Sequence, residues 1–229
     1  MISVNEAKRL AKRAMLANLT QDDSNLSITP LLVGRHGIGK SQIIRSLAEE
    51  LGGVCLTIEG GTLKEGEITG LPYQYDSGDG RTEFRFLPYY AVEWIQNEER
   101  RVFESFSDAS GRADFVALGD NPYALNNFTP EEKTSLLLER RVTPTIVFVH
   151  EINRTENTVY KELMNILLTR TVNGYRFPWW VFFVGAMNPS TQSSMYATPE
   201  RVGDGERFAG QRTAAPSILL RKRKRARGC

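Results

Sequence analysis

The sequence predicts an α/β domain whose parallel sheet is covered by helices on both faces. Three observations carry this. Gly34-Arg35-His36-Gly37-Ile38-Gly39-Lys40-Ser41 keeps the spacing G-x-x-x-x-G-K-[ST] and lies between a short apolar run, 28–33, and an amphipathic stretch. Two unbroken apolar runs, 145–149 and 179–184, suit strands buried on both faces of a parallel sheet. Helical periods separate these runs, the alternation of a doubly wound domain.

Taken in order, residues 4–18 read as a helix with Ala7, Leu10, Ala11, Ala14, Met15 and Leu16 on its apolar stripe. Residues 28–34 form the first core strand. The helix after the loop repeats Ile43, Ile44, Leu47 and Leu51, and Gly52-Gly53 ends it. Residues 54–58 are a second strand. Gly, Pro and charge fill 59–88, which predicts loops and a hairpin around Asp79-Gly80. Between 96 and 143 the sequence reads as a surface insertion. Within it Thr129-Pro130-Glu131-Glu132 sets an N-cap, a proline at N1 and a capping-box glutamate, so a helix should run to about 140. Residues 159–168 are helical.

The 229 residues, 41% hydrophobic, suffice for one sizeable α/β core. No apolar run of membrane-spanning length occurs and the charged N-terminus lacks a signal-peptide core, so a cytoplasmic protein without membrane contact is expected. Cys55 and Cys229 offer neither metal spacing nor a plausible staple, which fits a reducing compartment. The net charge of +2 conceals a basic end, since Arg221 to Arg227 holds six positive charges.

The P-loop carries the chemistry. Its glycines allow backbone N–H groups to face phosphate oxygens at a helix N-terminus. The nucleotide-holding residues are then Gly34, Gly37, Gly39, Lys40 and Ser41, with Lys40 reaching the β- and γ-phosphates of ATP and Ser41 holding Mg²⁺. The bland alternative is a glycine-rich turn without a ligand. The strand 146–149 runs into His150-Glu151, where a base and a metal-organising acid are expected. Glu151 stands at the base position. His150 stands at the metal position, a poor choice for an ion that prefers oxygen. Asn188, after the strand 179–184, falls at the sheet edge where ligands bind, ready to orient the attacking water, although Asn-Pro is also ordinary turn chemistry.

These residues resemble the AAA+ ATPases of the MoxR and dynein-related type. The resemblance rests on the P-loop, Glu59-Gly60-Gly61-Thr62, Glu67 to Tyr73, Glu151-Ile152-Asn153-Arg154, Thr171-Val172-Asn173-Gly174 and Ala186-Met187-Asn188-Pro189, over roughly 28–208. It implies a P-loop sheet of the AAA+ kind with flanking helices, ATP and Mg²⁺ as cofactors, and a homo-oligomeric, hexameric ring. It also implies remodelling of a protein partner, often one with a von Willebrand A domain. Glu206-Arg207-Phe208 is similar to the family's D-R-F, which makes Arg207 a catalytic arginine finger acting on a neighbour's ATP. The family's helical lid should follow, but only 209–229 remain, so the expectation is a core with the lid missing, by truncation or a shifted reading frame. The chain divides accordingly into an N-terminal helix (1–27), an ATPase core (28–208, insertion about 96–143) and a basic, disordered tail (209–229), with a scrap of strand at 216–220.

Three functions remain open at this level. The first is an ATP-hydrolysing core that remodels a partner, and the second a nucleotide-binding switch or scaffold with little hydrolysis. The third, nucleic-acid binding through the tail, is the weakest, because the basic run lacks interleaved aromatics.

Overall fold

A computed structural model describes residues 2–20, 27–76, 82–109, 128–189 and 217–219. Five helices and nine strands follow one another along these segments. The main sheet joins β1 (Leu31–Val33), β2 (Val54–Glu59), β5 (Thr145–His150), β8 (Val181–Met187) and β9 (Ser217–Leu219) in the order β2-β5-β8-β1-β9, every pair parallel. This is the expected α/β P-loop fold. β8 stands between the P-loop strand and β5, so the loops after β1, β5 and β8 open side by side at one sheet edge.

Burial explains the strands. Ile146, Val147, Phe148 and Val149 on β5, and Val181, Phe182, Phe183 and Val184 on β8, are all buried, as continuous apolar runs require when helices cover both faces. α1 (Val4–Ala17) and α2 (Lys40–Glu50) pack together, with α2 against β2 and β5. Ile58, Val147 and Val149 instead meet α3 (Tyr90–Ala109) and α5 (Asn157–Thr169), joining Ala91, Val92, Ile95, Leu163 and Ile166 around an apolar pocket on the other face.

Several sequence expectations change. α1 is part of the core: Ala7, Ala11 and Met15 are fully buried, and Lys8 and Lys12 pair with Glu50 of α2 at 2.9 and 2.5 Å. The stretch from 96 is not all surface insertion, because α3 runs to 109 and buries Val102 and Phe106. α4 (Pro130–Leu138) starts with the expected capping box, Glu132 N–H donating to Thr129 Oγ1 at 3.3 Å and Thr129 N–H to Glu132 Oε2 at 2.7 Å, but ends two residues early. The hairpin near 79–80 is β3 (Leu71–Asp76) with β4 (Thr82–Leu87), whose connecting residues 77–81 lie outside the described residues. A second hairpin, β6 (Thr171–Val172) with β7 (Tyr175–Arg176), turns on Asn173 and Gly174, both at positive φ, as a type I′ turn demands. Of the tail, residues 217–219 are described: β9 is the expected scrap of strand, and it pairs with β1 from Leu31↔Ser217 to Val33↔Leu219.

Candidate functional site

The loop after β1 bends on two glycines. Gly37 (φ 71°) and Gly39 (φ 97°) occupy the left-handed region that side chains avoid, and such conformations fold successive N–H groups into an anion-binding concavity. Gly39 caps α2, so the helix N-terminus adds its positive end to the same place. Gly34 ties the loop's base to β8 by donating its N–H to Met187 O at 3.2 Å.

Lys40 is folded back into this loop and is only 5% exposed. Its ammonium donates to Gly34 O at 2.6 Å, Arg35 O at 3.1 Å and Asn188 Oδ1 at 2.8 Å, so all three protons are used. Burial pushes its pKa below the usual amine value, and the nearby Glu151 carboxylate pushes it back up. Ser41 follows in the first turn of α2, half-buried.

Asn188 closes β8 and is 7% exposed. A neighbouring side chain fixes it: Asn153 Nδ2 donates to Asn188 O at 3.0 Å and Asn188 N–H returns a bond to Asn153 Oδ1 at 3.4 Å. The predicted residues Lys40 and Asn188 thus meet directly, although 148 positions apart.

Glu151 follows β5 with φ 54° and ψ 42°, a left-handed conformation that is uncommon for a side chain of its size. That bend starts a 3₁₀ turn, Ile152–Arg154, from which Arg154 Nη1 donates to Glu151 Oε2 at 2.9 Å. His36, on the crest of the P-loop and 79% exposed, lies 3.7 Å from Glu151 Oε1. His150 turns elsewhere: its Nδ1 is 3.1 Å from Oε2 of Glu59, the last residue of β2. Gly60 keeps this corner tight, since a Cβ there would lie 2.9 Å from His150 O and 3.2 Å from Glu151 O.

The segment 30–194 matches the family model of the AAA domain, dynein-related subfamily. The chain belongs to that family. AAA domains bind nucleotide, are in general ATPases that use ATP with Mg²⁺, and commonly form oligomers. No curated protein matches the chain. Within this AAA domain, Gly34, Gly37, Gly39, Lys40, Ser41, His150, Glu151 and Asn188 all stand at the sheet edge after β1, β5 and β8, while Arg207 lies outside the described residues. Sequence reading missed what Glu59, Asn153 and Arg154 do. Each sat inside a quoted motif, but its bonding depends on strand register and on the turn after β5. No helix among the described residues is long and apolar enough to cross a membrane.

Proposed function

We propose that the chain is an ATP-binding and ATP-hydrolysing core of the MoxR type that remodels a protein partner. The observation that carries the reading is the meeting of Lys40, Asn188 and Glu151 at the mouth of a P-loop whose own N–H groups are preset for phosphate. On this reading Lys40 trades its neutral acceptors for β- and γ-phosphate oxygens. Asn188 holds the attacking water, and Glu151 removes its proton once the carboxylate is released from Arg154. Ser41 Oγ is the protein oxygen offered to a divalent ion, which when bound neutralises charge on the transferring phosphoryl group. The fit to Mg²⁺ is incomplete, because the second expected donor is the imidazole of His150 rather than a carboxylate.

In the same proposal the ATPase core spans 28–208, and copies form a hexameric ring in which Arg207 from a neighbouring copy reaches the ATP. The remodelled partner carries a von Willebrand A domain. The second reading, a nucleotide switch with little hydrolysis, draws on two contacts: Glu151 is held by Arg154 and His150 by Glu59. Steady-state ATP hydrolysis, with Lys40→Ala and Glu151→Gln as controls, separates the two. Turnover that disappears in both variants supports the first. Tight ATP binding with no turnover above the Glu151→Gln background supports the second.

A further inference from the structure

Asn188 lies past the end of a strand ladder. β5 pairs with β8 only as far as Val149↔Gly185, so the main chain of Asn188 has no β5 residue opposite it. A strand residue turns its N–H and C=O to one side, and both need partners once water is excluded. The side chain of Asn153 supplies them: Nδ2 donates to Asn188 O at 3.0 Å, and Oδ1 accepts from Asn188 N–H at 3.4 Å. A carboxamide carries a donor and an acceptor side by side, as an adjoining strand would, and the fixed polarity of the main chain sets which way it faces. Asn153 thus takes the place of the strand that β5 no longer provides.

The turn that carries Asn153, Ile152–Arg154, is tied down on its own account. Ile152 is 1% exposed and sits against β8 so closely that a Cβ on Gly185 would lie 2.7 Å from its Cδ1. The buried Thr155 hydroxyl donates to Ile152 O at 2.8 Å, and Arg154 N–H donates to Glu151 O at 2.8 Å. Beyond Asn153 the chain of contacts continues from Asn188 Oδ1 to the Lys40 ammonium at 2.8 Å. An ammonium only donates, so Nδ2 is the group that Asn188 offers to a water or phosphate oxygen. One turn therefore starts at Glu151 and, through Asn153, fixes the residue that presents this amide.

We infer that Asn153 is a positioning residue for hydrolysis: its amide clamps the main chain of Asn188 and so sets where the Asn188 amide stands relative to Glu151 and to the phosphate held by Lys40. This rests on the hydrolytic reading of the site. Asn153 acts through Asn188 and not on the nucleotide.

The test is a double-mutant cycle on steady-state ATP hydrolysis by the full chain. Asn153→Ala should lower kcat by about tenfold or more with KM changed by less than about threefold, since a misplacement on the order of 1 Å costs about a hundredfold. Asn153→Asp has the same size and keeps the acceptor but loses the donor, so it should fall likewise, and it decides the matter if Asn153→Ala does not fold. In Asn188→Ala, whose main chain still takes both bonds, Asn153→Ala should lower the residual kcat by less than about threefold, yet lower the melting point as much as in the parent. A merely structural residue would not produce that split. Trapping of ADP with aluminium fluoride, which needs no turnover, should follow the same pattern while affinity for ADP alone stays put. Equal losses of kcat in both backgrounds, a raised KM at unchanged kcat, or parent-level kcat in a folded Asn153→Ala overturns the inference. A wild type that binds ADP but neither hydrolyses ATP nor traps the fluoride removes the hydrolytic reading, and this inference with it, a result distinct from those three.

Discussion

Replacing Lys40 by alanine tests the nucleotide site at its most constrained atom. In the free protein the ammonium already has three partners, Gly34 O, Arg35 O and Asn188 Oδ1, so ATP must exchange bonds rather than satisfy an empty donor. A net bond to a neutral acceptor contributes about 0.5–1.5 kcal/mol and one to a charged acceptor about 1.5–3 kcal/mol, a gain of roughly 1 kcal/mol per bond exchanged. Two exchanges, one each to the β- and γ-phosphates, come to roughly 2 kcal/mol, or about thirtyfold in affinity. Calorimetric titration with a non-hydrolysable ATP analogue measures it. Thermal melting without nucleotide supplies the control, because the variant loses three bonds but also relieves a buried charge, and its melting point should move little. An unchanged analogue affinity in a variant that melts like the parent would refute the P-loop assignment.

Glu151→Gln should keep nucleotide and lose turnover by about a hundredfold or more, measured by phosphate release, and parent-level turnover would place the base elsewhere. Because burial holds Lys40 below its usual value of 10.5, nucleotide binding should take up a proton at alkaline pH, and affinity should decline as pH climbs from that lowered value towards 10.5. Calorimetry in two buffers of different ionisation enthalpy reads the uptake, which Lys40→Ala should abolish. Without nucleotide the sign reverses: the unfolded chain holds the extra proton in that window, so the fold gains stability as pH rises through it. Gly60→Ala should cost about 1–3 kcal/mol in urea unfolding, since the added Cβ meets two backbone oxygens that cannot swing aside. Thr129→Ala should cost about 1 kcal/mol by removing one half of the capping box of α4, and an unchanged midpoint would mean that this helix end is held by other contacts.

The parts of the fold written in short-range pattern were legible. The P-loop is a local spacing, and β5 and β8 announce themselves as apolar runs longer than a turn tolerates. α3 was overlooked although its stripe is present: Ala91, Ile95, Val102 and Phe106 recur at intervals of four, seven and four, but Glu98 to Arg101 breaks the run with four consecutive charges, of which Glu98 and Glu99 are in fact partly buried. The β6–β7 hairpin was equally visible in Asn173-Gly174, a dipeptide read as a family motif and not as a turn. The contacts among site residues were not legible. Glu59 meets His150 only because β2 and β5 lie side by side in one register, and a parallel register is fixed by packing far from either residue. Asn188 reaches Lys40 for the same reason, through the pairing of β8 with β1.

The neighbours of β1 come late in the chain, and this sets a schedule for its synthesis. Leu31 is made early, but the strands that flank it begin at Val181 and Ser217. At about 5–20 residues per second on the ribosome, the second of them follows roughly 10–40 seconds later. Until β8 is made the nascent segment carrying the P-loop has both edges open and Lys40 lacks Asn188, and the second edge stays open until β9 follows. A half-made chain in this state offers unpaired backbone to any passing strand, so the yield of folded protein should depend on chaperone capacity more than on the stability of the finished domain.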